Sequence, residues 1–207
     1  MSLIDGSYFR NDIIIPGILE SGSYTDEIKN FITKYESEVL TDLLGYELYK
    51  LLQADLDESG NPQTQRFIDL INGAEFTHPD SRQLLKWIGF KNTQKESLIA
   101  YYVYFNYVYY KETELSKIGT IRSKLDNSNR VSPFDKLQNA WERFYRLYSG
   151  FDFETIEIYF SEEGLEVNEL PGCFNVLPSA YNFLYANKDD YPEWIFTVKY
   201  DKNIFSL

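Results

Sequence analysis

Thirteen consecutive residues, Leu98 to Tyr110, carry seven aromatic side chains and no charge. Whatever fold the chain adopts has to cover that segment. Tyr and Val favour strands, but the uninterrupted stretch runs to about 22 residues, too long for an ordinary strand. Thr93-Gln94-Lys95-Glu96 stands directly before it with the spacing of a capping box. The reading is therefore a helix over residues 93–115. Aromatic rings fall on nearly every face of it, so its own fold or its partners must surround it.

Three further helices follow from apolar spacing. Ile28, Phe31, Ile32, Tyr35 and Val39, then Leu43, Leu44, Leu48, Leu51, Leu52 and Leu56, predict helix over 25–56, with Thr41 or Gly45 kinking or dividing it. Ser23 and Thr25 offer N-caps. Phe67, Ile68, Leu70 and Ile71 predict a short helix over 63–72, stopped by Gly73. Ser132-Pro133 opens a helix over 133–149 whose stripe is Phe134, Leu137, Ala140, Trp141, Phe144, Leu147 and Tyr148. Trp141, Phe144 and Tyr148 should pack on Tyr101, Phe105 and Val108, since consecutive helices usually meet. A turn of helix capped by Asp80 or Ser81 is expected to carry Leu84, Leu85, Trp87 and Ile88.

Between the two best helices lies a long polar connection, 116–132. Residues 1–24, with Gly6, Pro16, Gly17 and Gly22 around a β-type run at Ile13 to Ile15, read as an extended arm. Residues 151–207 read as an extended segment packed on the bundle. In it Ile156, Ile158 and Phe160, then Trp194, Phe196, Val198 and Tyr200, alternate as short strands would, and Ser179 to Ala186 suits one helical piece. The expected fold is thus mainly α: a bundle of four to five helices spanning 25–150, with an arm before it and a tail of little regular structure after it.

The chemistry-bearing residues are few. His78, before Pro79, is the sole histidine, so any nucleophilic triad would have to use it; it reads as a surface loop residue. Cys173 is the sole cysteine and has no basic neighbour in sequence to favour a thiolate. That excludes an intrachain disulfide and suits a reducing cytoplasm. The stretch Asp55 to Asn61 lacks the glycine position and the terminal glutamate of a calcium loop. Glu36 with Glu38, and Asp189 with Asp190, read as solvated pairs. A zinc set at usual spacing and a phosphate-binding glycine motif are both missing. Neither a signal peptide nor a run of ~18 uncharged apolar residues is present. The expectation is a non-enzyme with no catalytic, metal or cofactor residues, and no membrane segment.

Charge is segregated. Residues 1–60 carry 4 basic and 12 acidic groups, residues 82–148 carry 12 and 6, and residues 149–207 carry 3 and 11. Either the acidic ends fold over the basic middle within one subunit, or one subunit's middle meets its neighbour's ends. A net charge of −12 argues against general nucleic-acid binding. Lys117, Arg122, Lys124 and Arg130 in the long connection face only Asp126 between 116 and 132. They are candidate partner-contact residues, against the simpler reading of a solvated connector.

The order of several segments carries a resemblance. Tyr35-Glu36, Leu40, Leu43-Leu44-Gly45, Glu47-Leu48-Tyr49 resembles the first helical signature of the head–tail connector (adaptor) proteins of tailed phages and prophages. The aromatic helix with Tyr101, Tyr102, Tyr104, Phe105 and Tyr107, a loop with Gly119, and a Trp141-centred helix follow in that family's order. Tyr181-Asn182-Phe183-Leu184, Asn187, Tyr191-Pro192, Trp194, Phe196, Asn203 and Phe205 look like the tail of an uncharacterised, prophage-borne branch. The resemblance covers about two thirds of the chain; residues 151–178 have no counterpart in it.

What the resemblance implies is a structural virion protein, made in the bacterial host cytoplasm, that forms a homo-oligomeric ring, commonly of twelve subunits, between portal and tail proteins. An acidic lumen would keep passing DNA from adhering. The alternative is a small-molecule binder or enzyme with a tyrosine-lined pocket. That reading requires polar groups converging on a concave site within one subunit.

Overall fold

The computed structural model describes residues 2–15, 18, 23–112, 134–150 and 176–196, with short strands at 115–116, 119–120, 158–161 and 164–167. The molecule is mainly α. Six helices are described: α1 (Ser23–Leu44), α2 (Tyr46–Asp55), α3 (Gln65–Asn72), α4 (Leu98–Glu112), α5 (Phe134–Tyr148) and α6 (Ala180–Ala186). Three two-stranded antiparallel ladders accompany them: β1 (Glu75–Thr77) with β2 (Leu84–Lys86), β3 (Leu115–Ser116) with β4 (Gly119–Thr120), and β5 (Ile158–Ser161) with β6 (Gly164–Val167).

Helix α4 is the centre. Every residue from Leu98 to Tyr107 is buried, because α1 and α5 flank it. Rings cement both seams. Towards α1, Phe31 meets Tyr107 edge-on at 5.3 Å between centroids, and Tyr35 meets Tyr102 at 6.0 Å. Towards α5, Phe105 lies 4.7 Å from Trp141, and Tyr102 lies 5.1 Å from Phe144. Trp141, Phe144 and Tyr148 are buried as expected. Their α4 partners differ by one position, with Tyr102 rather than Tyr101 in the ring contacts. One residue is about 100° of helix rotation, and it sends Tyr101 to a different face.

Glycines set the joints. Gly45, at φ +77°, separates α1 from α2, and an added Cβ would come within 3.1 Å of the Ile195 carbonyl oxygen. Gly73 and Gly89 are also left-handed and back onto each other's strands. A Cβ on Gly73 would sit 2.3 Å from the Trp87 oxygen, and one on Gly89 would sit 2.4 Å from the Ile71 oxygen. This crossing overturns the helix expected near 81–88. Residues 75–86 form a hairpin instead, with Phe76 opposite Leu85. Leu84 is exposed and supplies no helical apolar face. Trp87 beyond the hairpin is fully buried, its indole N–H donating to the Leu70 carbonyl at 2.8 Å.

The start of α4 is a second correction. The helix begins at Leu98, five residues after Thr93. Lys95 adopts φ +56°, which breaks the helical path, and the Thr93 hydroxyl bonds Gln94 instead of a helix N–H. Asn92 braces the turn before the helix: its Oδ1 accepts from the Glu96 N–H at 3.1 Å, and its Nδ2 donates to the Ile88 carbonyl. The Ser97 hydroxyl accepts from the Ile99 N–H.

Residues 2–15 are not a simple extended arm. They make two 3-10 turns, Gly6–Tyr8 and Asn11–Ile13, so Ile13 closes a turn instead of starting a strand. Leu3, Ile4, Tyr8, Phe9, Ile13 and Ile15 are all buried. At the other end, Ser179 caps α6 through the Asn182 N–H, and Phe183 packs edge-on against Phe76. The chain then returns to α1: the Trp194 indole donates to the Leu43 carbonyl at 2.9 Å. Trp194 to Phe196 are not in a strand; Val198 and Tyr200 lie outside the described residues.

Candidate functional site

Two concave features adjoin the N-terminal segment. The first is a polar cleft of about 240 Å³, framed by the second 3-10 turn, the turn before α4, and α5. The first 3-10 turn supplies Tyr8, whose hydroxyl accepts from the Asn92 N–H at 3.1 Å and so ties the N-terminal segment to the pre-α4 turn. Arg10 adds a hydrogen bond to the Gln94 carbonyl. The Lys95 ammonium lies 4.5 Å from the Tyr8 ring centroid. Asp12, Glu96 and Arg143 complete the charged lining, and Tyr101 forms part of the floor. Burial raises the Tyr101 hydroxyl above the usual phenol range; Glu96 and Asp12 add to the rise and Arg143 opposes it. These charges therefore act at the hydroxyl.

The acidic N-terminal segment thus folds over part of the basic middle within one subunit. Asp5 reflects it. The Ser7 hydroxyl and backbone N–H hold its carboxyl below the usual range, with help from Lys95 and Lys91.

The second feature is a groove of about 530 Å³ with an isoleucine floor of Ile4, Ile18, Ile28 and Ile32. Beside it stands the residue most different from its sequence reading. Glu36, expected to be solvated, is only 6% exposed. It accepts from the Leu3 N–H at 2.9 and 3.1 Å and from the Ile4 N–H at 3.4 Å. Burial pushes its carboxyl up to about 7, against the opposing pull of those two amides. Nothing in the one-dimensional pattern pointed to this, although Glu36 lies one turn from Ile32 and from Leu40, on the inward stripe of α1. Its companion Glu38 is exposed as expected, yet it accepts the Tyr102 hydroxyl.

His78 is also corrected. It is 8% exposed, with its Nδ1 accepting from the Ser81 N–H at 3.3 Å and its ring 6.1 Å from Tyr185. The β1–β2 turn folds back on itself there, which encloses the imidazole. Asp55 and Asp57 spend their oxygens on backbone N–H groups of Gln63, Thr64, Ser59 and Asn61, so they brace a turn. Asp189 and Asp190 are exposed.

Among the described residues, no three His, Cys, Asp or Glu side chains are placed to hold a metal ion, and no helix is long and apolar enough to cross a membrane. The contact candidates Lys117, Arg122, Lys124 and Arg130 lie outside the described residues, as does Cys173. The chain matches no known protein family, no curated protein and no solved structure.

Proposed function

We propose that the chain is a structural subunit of the head–tail junction of a tailed phage or prophage, assembling as a ring between portal and tail. In this reading it works by contact and not by turnover. One observation carries it: large apolar side chains are exposed at both ends of a bundle whose middle is tightly packed. At one end Tyr109 and Tyr110 are about half exposed, in the last turns of α4. Lys111 bridges Glu27 at 2.8 Å there, which pins the start of α1 to the same end. At the other end Tyr46 and Ile195 are 67% and 68% exposed, beside the α1–α2 joint. Phe31 to Leu44 spans roughly 20 Å of helix at 1.5 Å per residue. A subunit wedged between two partners needs contact surface at both ends of such a rod.

The residues of the resemblance support the reading at the level of fold. Leu40, Leu43, Leu44 and Leu48 are buried, Gly45 makes the left-handed joint, and Trp141 sits in the α4–α5 seam. These two helices frame residues 113–133, which hold the four candidate cations. The sequence between them is the basic one that this reading assigns to contact with acidic neighbours.

The test replaces Lys117, Arg122, Lys124 and Arg130 with glutamine and follows incorporation into particles as salt rises. Wild-type incorporation should fall with salt, because such contacts are screened over ~8–10 Å. The variant should incorporate poorly at all salt concentrations. Normal incorporation of the variant removes the connection from the interface.

A further inference from the structure

The polar cleft has a property that its role in packing does not explain. Three cations, Arg10, Lys95 and Arg143, and two carboxylates, Asp12 and Glu96, line one concavity. Here, among the described residues, none of the five is ion-paired with another. Asn11 and Lys95 are two of the three non-glycine residues with left-handed φ among the described residues, at +57° and +56°, and both line this cleft. Such geometry tends to persist where surrounding structure enforces it. Asn92 supplies the enforcement. It grips the pre-α4 turn from Ile88 to Glu96 and is itself gripped by the Tyr8 hydroxyl.

We propose that this cleft binds a small ligand carrying separated charges of both signs with one negative charge in excess, an acidic amino acid being the simplest example. The excess of one cation sets the ligand's net charge. The separation of the wall charges sets its dipolar character. Arg10 bonds the backbone of Gln94, next to Lys95, and these two cations take an acidic group. Glu96 and Asp12, which act on the Tyr101 hydroxyl together with Arg143, take the ammonium and leave Arg143 for a second acidic group. A volume of about 240 Å³ admits a ligand of that size. The walls are braced before the ligand arrives, so binding requires little further ordering. The inference does not rest on the assembly reading.

The experiment is a proton–nitrogen NMR titration of the full chain with L-glutamate, alongside acetate and methylammonium. Arg143→Gln and Glu96→Gln serve as variants; both side chains are exposed, so the fold should survive either change. Glutamate should shift the amides of Arg10 to Ile13 and Gln94 to Glu96 saturably. Each variant should weaken binding about tenfold, as expected for one charge-assisted contact. Acetate and methylammonium should not saturate at the same concentrations. The proposal is overturned if glutamate gives no saturable shift, if acetate matches it, or if both variants bind as the wild type does.

Discussion

Helix α1 is covered on two sides, and the covers are built differently. Towards α4 it meets another helix, whose backbone is already hydrogen-bonded, so rings fill the seam and only side chains bond across it, Glu38 to the Tyr102 hydroxyl and Glu27 to Lys111. Towards the N-terminus it meets irregular chain. Irregular chain brings free peptide N–H groups into a buried place, and each needs an acceptor. Glu36 supplies one to Leu3 and Ile4. An ionisable group inside α1 is therefore the consequence of covering a helix with something other than a helix. The ring seam should resist pH and fail by cavity formation. The carboxylate seam should fail by loss of its acceptor and respond to pH.

The strongest way to break the comparison is Trp141→Ala. Trp141 is 3% exposed and touches Phe105, Phe144 and Tyr145. Emptying the site should cost about 3–5 kcal/mol in urea unfolding. A loss under about 1 kcal/mol would mean that α5 is not part of the core.

Glu36→Ala should cost less, about 1–3 kcal/mol, because it strands two buried N–H groups without emptying a large volume. Its signature should be local: faster hydrogen exchange at Leu3 and Ile4, with Leu98 to Tyr107 unchanged. Equal acceleration in α4 would show that the two seams are one.

The pH response sharpens the contrast further. Burial raises the Glu36 carboxyl to about 7 from an ordinary value of 4.5. Between those values the folded chain holds more protons than the unfolded one. Stability from this group is therefore fully present below about 4.5, declines as pH rises through the window, and is flat above about 7. The slope for one proton cannot exceed about 1.4 kcal/mol per pH unit. Glu36→Gln should flatten it in unfolding curves taken from pH 5 to 8. A slope that persists unchanged in that variant assigns the effect elsewhere.

The smallest effect on stability should come from Tyr46→Ser, within about 0.5 kcal/mol for an exposed side chain. If that end of the bundle meets a partner, the same change should reduce incorporation into particles. A stability loss above about 2 kcal/mol would place Tyr46 in the core after all.

The division between the seams also marks what could be read from the chain. Helices whose apolar faces meet other elements were legible: the α1–α2 break falls at Gly45, one of the two positions expected, α5 buries Leu137, Ala140, Trp141, Phe144 and Tyr148 of its stripe, and the helical piece expected over Ser179 to Ala186 is α6 with Ser179 as its cap. Elements set by backbone crossings were not. Leu84, Leu85, Trp87 and Ile88 have helical spacing, but Gly73 and Gly89 must back onto each other, and that contact is invisible in one dimension. Thr93 to Glu96 matched a capping box, and Ser97 caps the helix instead. The polar cleft joins residues 10–12, 94–96 and 143, too far apart in sequence for any local motif to carry.

The proposed ring assembly at a head–tail junction is tested by native mass spectrometry of the chain with and without the portal protein encoded beside it. The account predicts a portal-bound complex holding a fixed number of copies, commonly twelve, and its dissociation by salt. A chain that stays monomeric at every concentration and leaves the portal unbound would contradict it.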